Sequence, residues 1–350
     1  MSFERSAVLQ HDTLDDIPEP AENPALFGHE DMAARFAAAY RAGKLHHALV
    51  LAGPRGIGKA TLAFHLAYHL LRYAEAADAP DTLAAPDPET TLFKLIANGG
   101  HPSILHLTRP VNERTKAFRT AVTVEEIRKV QRFLSFTAHD GGYRVVIIDP
   151  ADDMNQNAAN ALLKNLEEPP ARTQFILISH AAGGLLPTIR SRCQIVRLQP
   201  LAESAFGRAL TGLGIAPQDA DAARALMERA GGSVREAILL TQYGGLEIAA
   251  AIEEIATGAR FDVAKTWRLA DAVAARDQTM AFSLFNRHVL DHAAALAVEA
   301  ARTGALARAD ALSQFWQDAN RAIVEAETYN LDKRQHVAGL MRAMHAALGG

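Results

Sequence analysis

The sequence has 350 residues, 49% of them hydrophobic and 22% charged, with a formal net charge of −4 and a single cysteine, Cys193. This length predicts two or three domains, because single cores stop growing near about 250–300 residues, and the negative charge disfavours a free-standing nucleic-acid binder. One cysteine excludes an intrachain disulfide and a Cys-rich zinc site, and no apolar run reaches the roughly 18 residues of a membrane helix.

The first 24 residues are rich in proline and acidic side chains, which predicts a flexible or loosely docked N-terminal arm. Their acidic start lacks the basic and apolar regions of a signal peptide, so we expect a cytoplasmic protein without membrane contact. From residue 25 to 200, short apolar runs predict buried parallel strands, and apolar residues at helical spacing predict helices between them. The predicted strands are residues 46–53, 143–150, 174–180 and 194–199, and the predicted helices are residues 32–42, 61–71 and 155–170.

Strand patterns stop after Pro200, and the rest of the chain is predicted to be helical. Residues 201–245 indicate three short helices with glycine-rich joints, and residues 262–348 indicate nearly continuous helix. The sequence therefore predicts an α/β domain at 25–200, a small helical domain at 201–260 and a second helical domain at 261–350.

A candidate phosphate loop, GPRGIGKA at 53–60, lies between a predicted strand and a predicted helix. Gly53, Gly56 and Gly58 allow backbone N–H groups to approach an anion, and the start of the following helix adds partial positive charge. Lys59 would reach the terminal phosphates. A purely structural turn is the alternative, but the strand, the spacing and the lysine together favour a loop that binds ATP or ADP.

Two positions of this loop site lack the groups that hydrolysis needs. Ala60 stands where a serine or threonine hydroxyl would bind Mg²⁺, and Thr61 is one position further along the predicted helix. Asp149 ends a predicted strand, where its carboxylate could help to hold Mg²⁺. Pro150 follows it at the position where an active ATPase with this kind of phosphate loop has a glutamate. Because phosphoryl transfer depends on metal placement and water positioning, we expect weakened Mg²⁺ binding and no hydrolysis.

Four motifs in order and spacing make the chain resemble the AAA+ clamp-loader ATPases of the bacterial DNA polymerase III holoenzyme. They are the phosphate loop, VVIIDPADDMN at 145–155, NAANALLKNLEEPP at 157–170 and LLPTIRSRC at 185–193. The resemblance covers roughly residues 24–245. It implies an AAA+ P-loop domain with a parallel sheet, a helical lid domain and an all-α C-terminal collar domain.

The resemblance also implies roles for individual residues. Arg192 matches the arginine finger that acts on ATP bound by the neighbouring subunit, although a surface salt bridge is the alternative. Ser179 occupies the sensor-1 position, and Arg235, in GGSVREA at 231–237, matches the sensor-2 arginine. For Arg235 the alternative is a solvated arginine at a helix end. The nucleotide-binding set expected in this way comprises Gly53, Gly56, Gly58, Lys59, Thr61, Asp149 and Arg235.

The family's four-cysteine zinc module is absent from this sequence, so no metal site is expected. The function implied is that of a non-hydrolysing clamp-loader subunit. Its expected partners are the loader's ATPase subunits, a delta-like subunit, the sliding clamp and, through the complex, primed DNA. Two alternatives stay open: an ATP-hydrolysing motor subunit, and a nucleotide-binding adaptor outside replication.

Overall fold

The computed structural model describes residues 5–135, 141–215, 217, 219–275 and 278–349. It divides into two compact units, Met1–Arg235 and Glu236–Gly350. The finer boundaries expected from the sequence, at residues 24, 200 and 260, stay a prediction.

The first unit is built on a five-stranded parallel sheet with the order β2-β3-β4-β1-β5. Strand β1 (Ala48–Ala52) lies next to the edge strand β5 and pairs with β4 on its other side, and Val50 lies opposite Leu177 and Ile195. The four predicted strands are confirmed; the edge strand β2 was missed, because its four residues form only a short, half-buried apolar run. The strands are β1 Ala48–Ala52, β2 Ile104–Leu107, β3 Arg144–Ile148, β4 Thr173–Ser179 and β5 Gln194–Arg197.

Helices cover both faces of this sheet. Alternate residues of each strand point to opposite faces, so Leu49 and Leu51 pack against α1, α2 and α3, while Val50 packs against α4 and α5. Because the strands are buried on both faces, they are apolar at nearly every position. The predicted α/β fold class is confirmed. The helices of this unit are α1 Glu30–Arg41, α2 Lys59–Arg72, α3 Thr91–Ala97, α4 Val124–Ser135, α5 Gln156–Glu167, α6 Pro187–Arg190, α7 Glu203–Gly212 and α8 Ala220–Ala230. Helix α9, Val234–Gln242, begins at the end of this unit and continues into the second.

The second unit is helical throughout its described residues, as predicted. Its two longest helices, α12 and α13, have 24 residues each and pack against one another. The core of the unit includes the fully buried Phe285, Val289, Leu312 and Met341. No helix in the described part of the chain is long and apolar enough to cross a membrane. The helices are α10 Gly245–Thr257, α11 Val263–Val273, α12 Thr279–Arg302, α13 Leu306–Tyr329 and α14 Lys333–Gly349.

Residues 5–22, called the N-terminal segment below, lie within the range predicted as a flexible arm, but they are tied together by buried carboxylates. The Glu22 carboxylate accepts hydrogen bonds from the backbone N–H groups of Ser6 (2.6 Å) and Ala7 (2.9 Å). The Arg5 guanidinium donates to Glu19 (3.0 Å) and to the carbonyl of Leu14 (2.7 Å). The composition resembles that of a disordered segment, yet the carboxylates of Glu19 and Glu22 find hydrogen-bond donors within the segment itself.

Candidate functional site

The phosphate loop joins the end of β1 to the start of α2 at Lys59. Gly56 (φ 77°) and Gly58 (φ 95°) have the positive φ values that side chains disfavour. A Cβ atom on Gly56 would collide with Ser233 and with the Cβ atom of Arg235. The glycine at this position therefore lets residues 233–235 approach the loop closely.

The Lys59 ammonium is turned back onto its own loop. Its Nζ donates hydrogen bonds to the carbonyl oxygens of Gly53 (2.7 Å) and Pro54 (2.5 Å), and the residue is 3% exposed. Burial lowers its pKa to about 8, although the charges of Asp149 and Asp152 act in the opposite direction. The lysine lies at the predicted place, but its donors are used within the loop.

Asp149 follows β3, and its backbone N–H donates to the carbonyl of Leu107 (2.9 Å). Burial, and after it the charge of Asp12, raises the pKa of the Asp149 carboxyl to about 7. A carboxyl with this pKa is only partly ionised at neutral pH.

Asp152 ties the ends of two neighbouring strands together. One of its carboxylate oxygens accepts a hydrogen bond from the Ser179 hydroxyl (2.8 Å), and the other accepts one from the His180 backbone N–H (2.5 Å). Ser179, assigned by resemblance to the sensor-1 position, is fully buried. Burial, with the charges of Lys59 and Arg55, lowers the pKa of the His180 imidazole to about 3, so this ring stays neutral.

Arg235 lies beside the loop and shares an acidic partner with Arg55. Its backbone N–H donates to the carbonyl of Gly56 (3.4 Å), and its Nη1 lies 3.7 Å from Oδ2 of Asp12. Arg55 donates from Nη2 to the same Asp12 oxygen at 2.8 Å. Burial tends to raise the pKa of Asp12, but Arg235 and Arg55 lower it to about 2, so this carboxylate stays charged.

The structure thus gathers most of the predicted nucleotide set at one end of the sheet and adds two residues that sequence reasoning missed. Arg55 lies inside the loop motif, where its charge could have been noticed. Asp12 lies in the predicted N-terminal arm, and no local pattern marks it. Thr61 is buried in α2, next to Ala60.

The residues present do not fit a magnesium-bound nucleotide in this conformation. The Lys59 donors are directed at carbonyl oxygens, Ala60 has no hydroxyl, and a carboxylate from the same chain already faces the two arginines. In the described part of the chain, no three His, Cys, Asp or Glu side chains gather where they could hold a metal ion.

Arg192 lies apart from the phosphate loop, between α6 and β5. Its guanidinium donates to the carbonyl of Thr188 (2.8 Å) and forms an ion pair with Glu167 at the end of α5. The side chain is 32% exposed, so the guanidinium is oriented by its own chain while part of it remains accessible. Burial raises the pKa of the adjacent Cys193 thiol to about 11, which keeps this thiol protonated and unreactive at neutral pH.

The raised pKa of Asp149 predicts a pH-dependent loss of stability. A carboxyl with a pKa of about 7 in the folded state and 3.8 in the unfolded chain binds more protons when folded, so folding loses stability as the pH rises from about 4 to 7. We expect Asp149→Asn to be more stable than the wild type at pH 8 by about 2–4 kcal/mol, and the gain to shrink towards pH 4.

Urea unfolding of both proteins at pH 5 and pH 8 measures this difference. Asp81→Asn is the matched control, because Asp81 is highly exposed and its ion pair with Arg41 lies at the surface. An identical pH dependence in the wild type and Asp149→Asn would contradict the prediction.

A family model and several relatives of known name match this chain. A family model described as DNA polymerase III, delta subunit, matches residues 28–202, which is half of the chain. The chain is 38% identical over 208 residues to DNA polymerase III subunit delta′ of Pseudomonas aeruginosa, a match covering 59% of this chain and 60% of that protein. It is 33% identical over 174 residues to the delta′ subunit of Bacillus subtilis, covering 50% and 48%.

The matched region thus spans about half to three fifths of the length of these relatives. Among solved structures, a DNA polymerase III gamma subunit-related protein from Thermotoga maritima aligns with 88% of this chain and 97% of its own, at 16% identity and a TM-score of 0.39.

Proposed function

The chain belongs to the family described as DNA polymerase III, delta subunit, and from this premise we propose that it is a delta-prime-like clamp-loader subunit that does not hydrolyse ATP itself. In this proposal it acts in the cytoplasm with the loader's ATPase subunits and a delta-like subunit. Together they load a sliding clamp onto primed DNA during replication. The similarity to proteins named subunit delta′ in two bacteria supports this assignment.

One observation carries the non-hydrolysing part of the proposal. The Lys59 ammonium is bonded to the carbonyl oxygens of Gly53 and Pro54, while Ala60 and Pro150 occupy the places where metal-binding and water-orienting groups are needed. Phosphoryl transfer is catalysed mainly by positioning and electrostatic stabilisation. A site that lacks both the metal-binding hydroxyl and the water-orienting glutamate can supply little of this positioning and electrostatic stabilisation.

The contribution to catalysis is made in a neighbouring subunit, through Arg192. An arginine is always charged, and its planar fork can grip two phosphate oxygens. The partners of Arg192 in its own chain, Glu167 and the Thr188 carbonyl, orient the fork at a partly exposed position. In the alternative, a surface salt bridge, the same ion pair with Glu167 is all that the arginine does.

Residues 261–350, which lie in the second unit, are proposed as the collar that holds the loader together. Their long helices bury one face in their own core and leave large apolar side chains exposed on α12 and α13, among them Val298 (60%), Trp316 (38%) and Val324 (55%). Apolar side chains exposed at this level on a helical bundle suit contact with neighbouring helices.

We expect the purified chain to release phosphate from Mg²⁺-ATP no faster than its Lys59→Ala variant. The reason is that the native loop already lacks the groups that place the metal and the attacking water. Steady-state phosphate release measures both proteins under the same conditions. Turnover that is robust in the wild type and lost in Lys59→Ala would instead favour the ATP-hydrolysing motor subunit.

Co-purification tests the placement in replication. A tagged full-length chain should bring down the other DNA polymerase III loader subunits from its own cells. Recovery of the chain without them would favour the alternative of a nucleotide-binding adaptor outside replication.

A further inference from the structure

The N-terminal segment brings a carboxylate to the phosphate loop. Oδ2 of Asp12 accepts a hydrogen bond from Arg55 at 2.8 Å and lies 3.7 Å from Nη1 of Arg235. One arginine belongs to the loop, and the other, Arg235, has its backbone and Cβ atom close against Gly56. An oxygen anion held between two guanidinium groups at a glycine-rich loop has the charge and the partners that a nucleotide phosphate would have there.

The Asp12 side chain is 31% exposed and lies within ion-pair distance of both Arg55 and Arg235. Its charge is the second cause, after burial, of the raised pKa of Asp149, and it also acts on the imidazoles of His106 and His180. The neighbouring His11 is largely buried, which lowers its pKa to about 4, and its ring meets Phe118 edge-on at 6.4 Å. The neutral, packed imidazole of His11 therefore lies next to the charged carboxylate of Asp12.

The turn that carries Asp12 is braced on both sides. The Thr13 hydroxyl accepts a hydrogen bond from the Gln10 backbone N–H (2.7 Å) and donates one to Glu19 (2.5 Å). Leu14 is 4% exposed and its carbonyl accepts from Arg5. These contacts stabilise the docked segment and so offset the conformational entropy that the segment would gain by leaving the loop.

We propose that the N-terminal segment is an internal plug of the phosphate loop, in which the Asp12 carboxylate takes the place of a nucleotide phosphate. A phosphate and the carboxylate compete for the same two guanidinium groups, and they repel each other at close range. ADP or ATP therefore enters the loop only when the segment is displaced. The plug concerns this chain's own phosphate loop, so its test is independent of the role in a neighbouring subunit that is proposed for Arg192.

Titration of the full-length chain with mant-ADP and Mg²⁺, followed by fluorescence anisotropy, tests the plug. We expect weak binding to the wild type and at least about tenfold tighter binding to Asp12→Asn, which keeps the size of the side chain and removes its charge. Asp16→Asn is the matched control, since Asp16 is an exposed acid of the same segment with a positive φ that asparagine tolerates. Its affinity should equal that of the wild type, and adding Lys59→Ala to Asp12→Asn should remove the gain.

Hydrogen exchange supplies a second measurement, one that does not need the variant to bind more tightly. In the wild type, saturating mant-ADP should increase exchange at the backbone amides of residues 6–14, because nucleotide and segment exclude each other. Wild-type affinity equal to that of Asp12→Asn would overturn the plug. Nucleotide binding that leaves these amides as protected as in the free protein would overturn it as well.

Discussion

Replacing Arg192 with alanine is expected to leave folding and assembly intact while strongly reducing clamp- and DNA-stimulated ATP hydrolysis by the reconstituted loader. A guanidinium delivered to the γ-phosphate of a neighbouring site contributes roughly 10³–10⁵-fold in rate, which is about 4–7 kcal/mol of barrier. A loader has several ATP sites, so the steady-state rate of the whole complex should fall by less than this factor. Clamp loading should be poor.

The structure indicates why the substitution should not unfold the protein. Arg192 is partly exposed, and its partners are the half-exposed Glu167 and a backbone carbonyl. Exposed ion pairs are worth only about 0–1 kcal/mol. A loss of activity without a loss of thermal stability is therefore the expected signature.

Two further variants sharpen the test. Arg190→Ala, at an exposed arginine two residues away, should keep wild-type activity. Arg192→Lys should recover little, because a compact ammonium cannot reproduce the planar fork. Equal ATPase rates for the wild type and Arg192→Ala would remove the role in trans and leave Arg192 as a surface salt bridge with Glu167.

Truncation after Tyr243 is expected to abolish co-assembly with the loader subunits. This change removes α11–α14, the helices proposed to form the collar, together with α10, and keeps the whole first unit. The first unit should stay folded, because its sheet is covered on both faces by helices from residues 30–167. Size-exclusion chromatography of the mixed subunits measures assembly, and circular dichroism with thermal unfolding checks that the truncated chain is folded.

A double substitution tests the same face without removing a domain. Val298→Glu with Val324→Glu places charges at two exposed apolar positions of α12 and α13, where solvent can accommodate them in the free chain. The variant should fold normally and assemble poorly. A truncated chain that still enters the complex stably would show that the collar assignment is wrong.

Local patterns in the sequence were sufficient for most of the first unit. Continuous apolar runs predicted β1, β3, β4 and β5, because strands buried on both faces must be apolar at every position. The glycine spacing and Lys59 located the phosphate loop, because the chemistry of a tight turn is also local. The short edge strand β2 was missed, since an edge strand half-open to solvent needs no long apolar run.

The sequence by itself determined the fold class, the phosphate loop and the absence from it of a metal-binding hydroxyl and a catalytic glutamate. Only the tertiary structure decided what the loop contacts. Asp12, Arg55 and Arg235 come from three distant parts of the chain, and Arg192 is paired with Glu167 on another element. Such pairs follow no periodicity, because they depend on which segments the folded sheet and its helices bring to the same place.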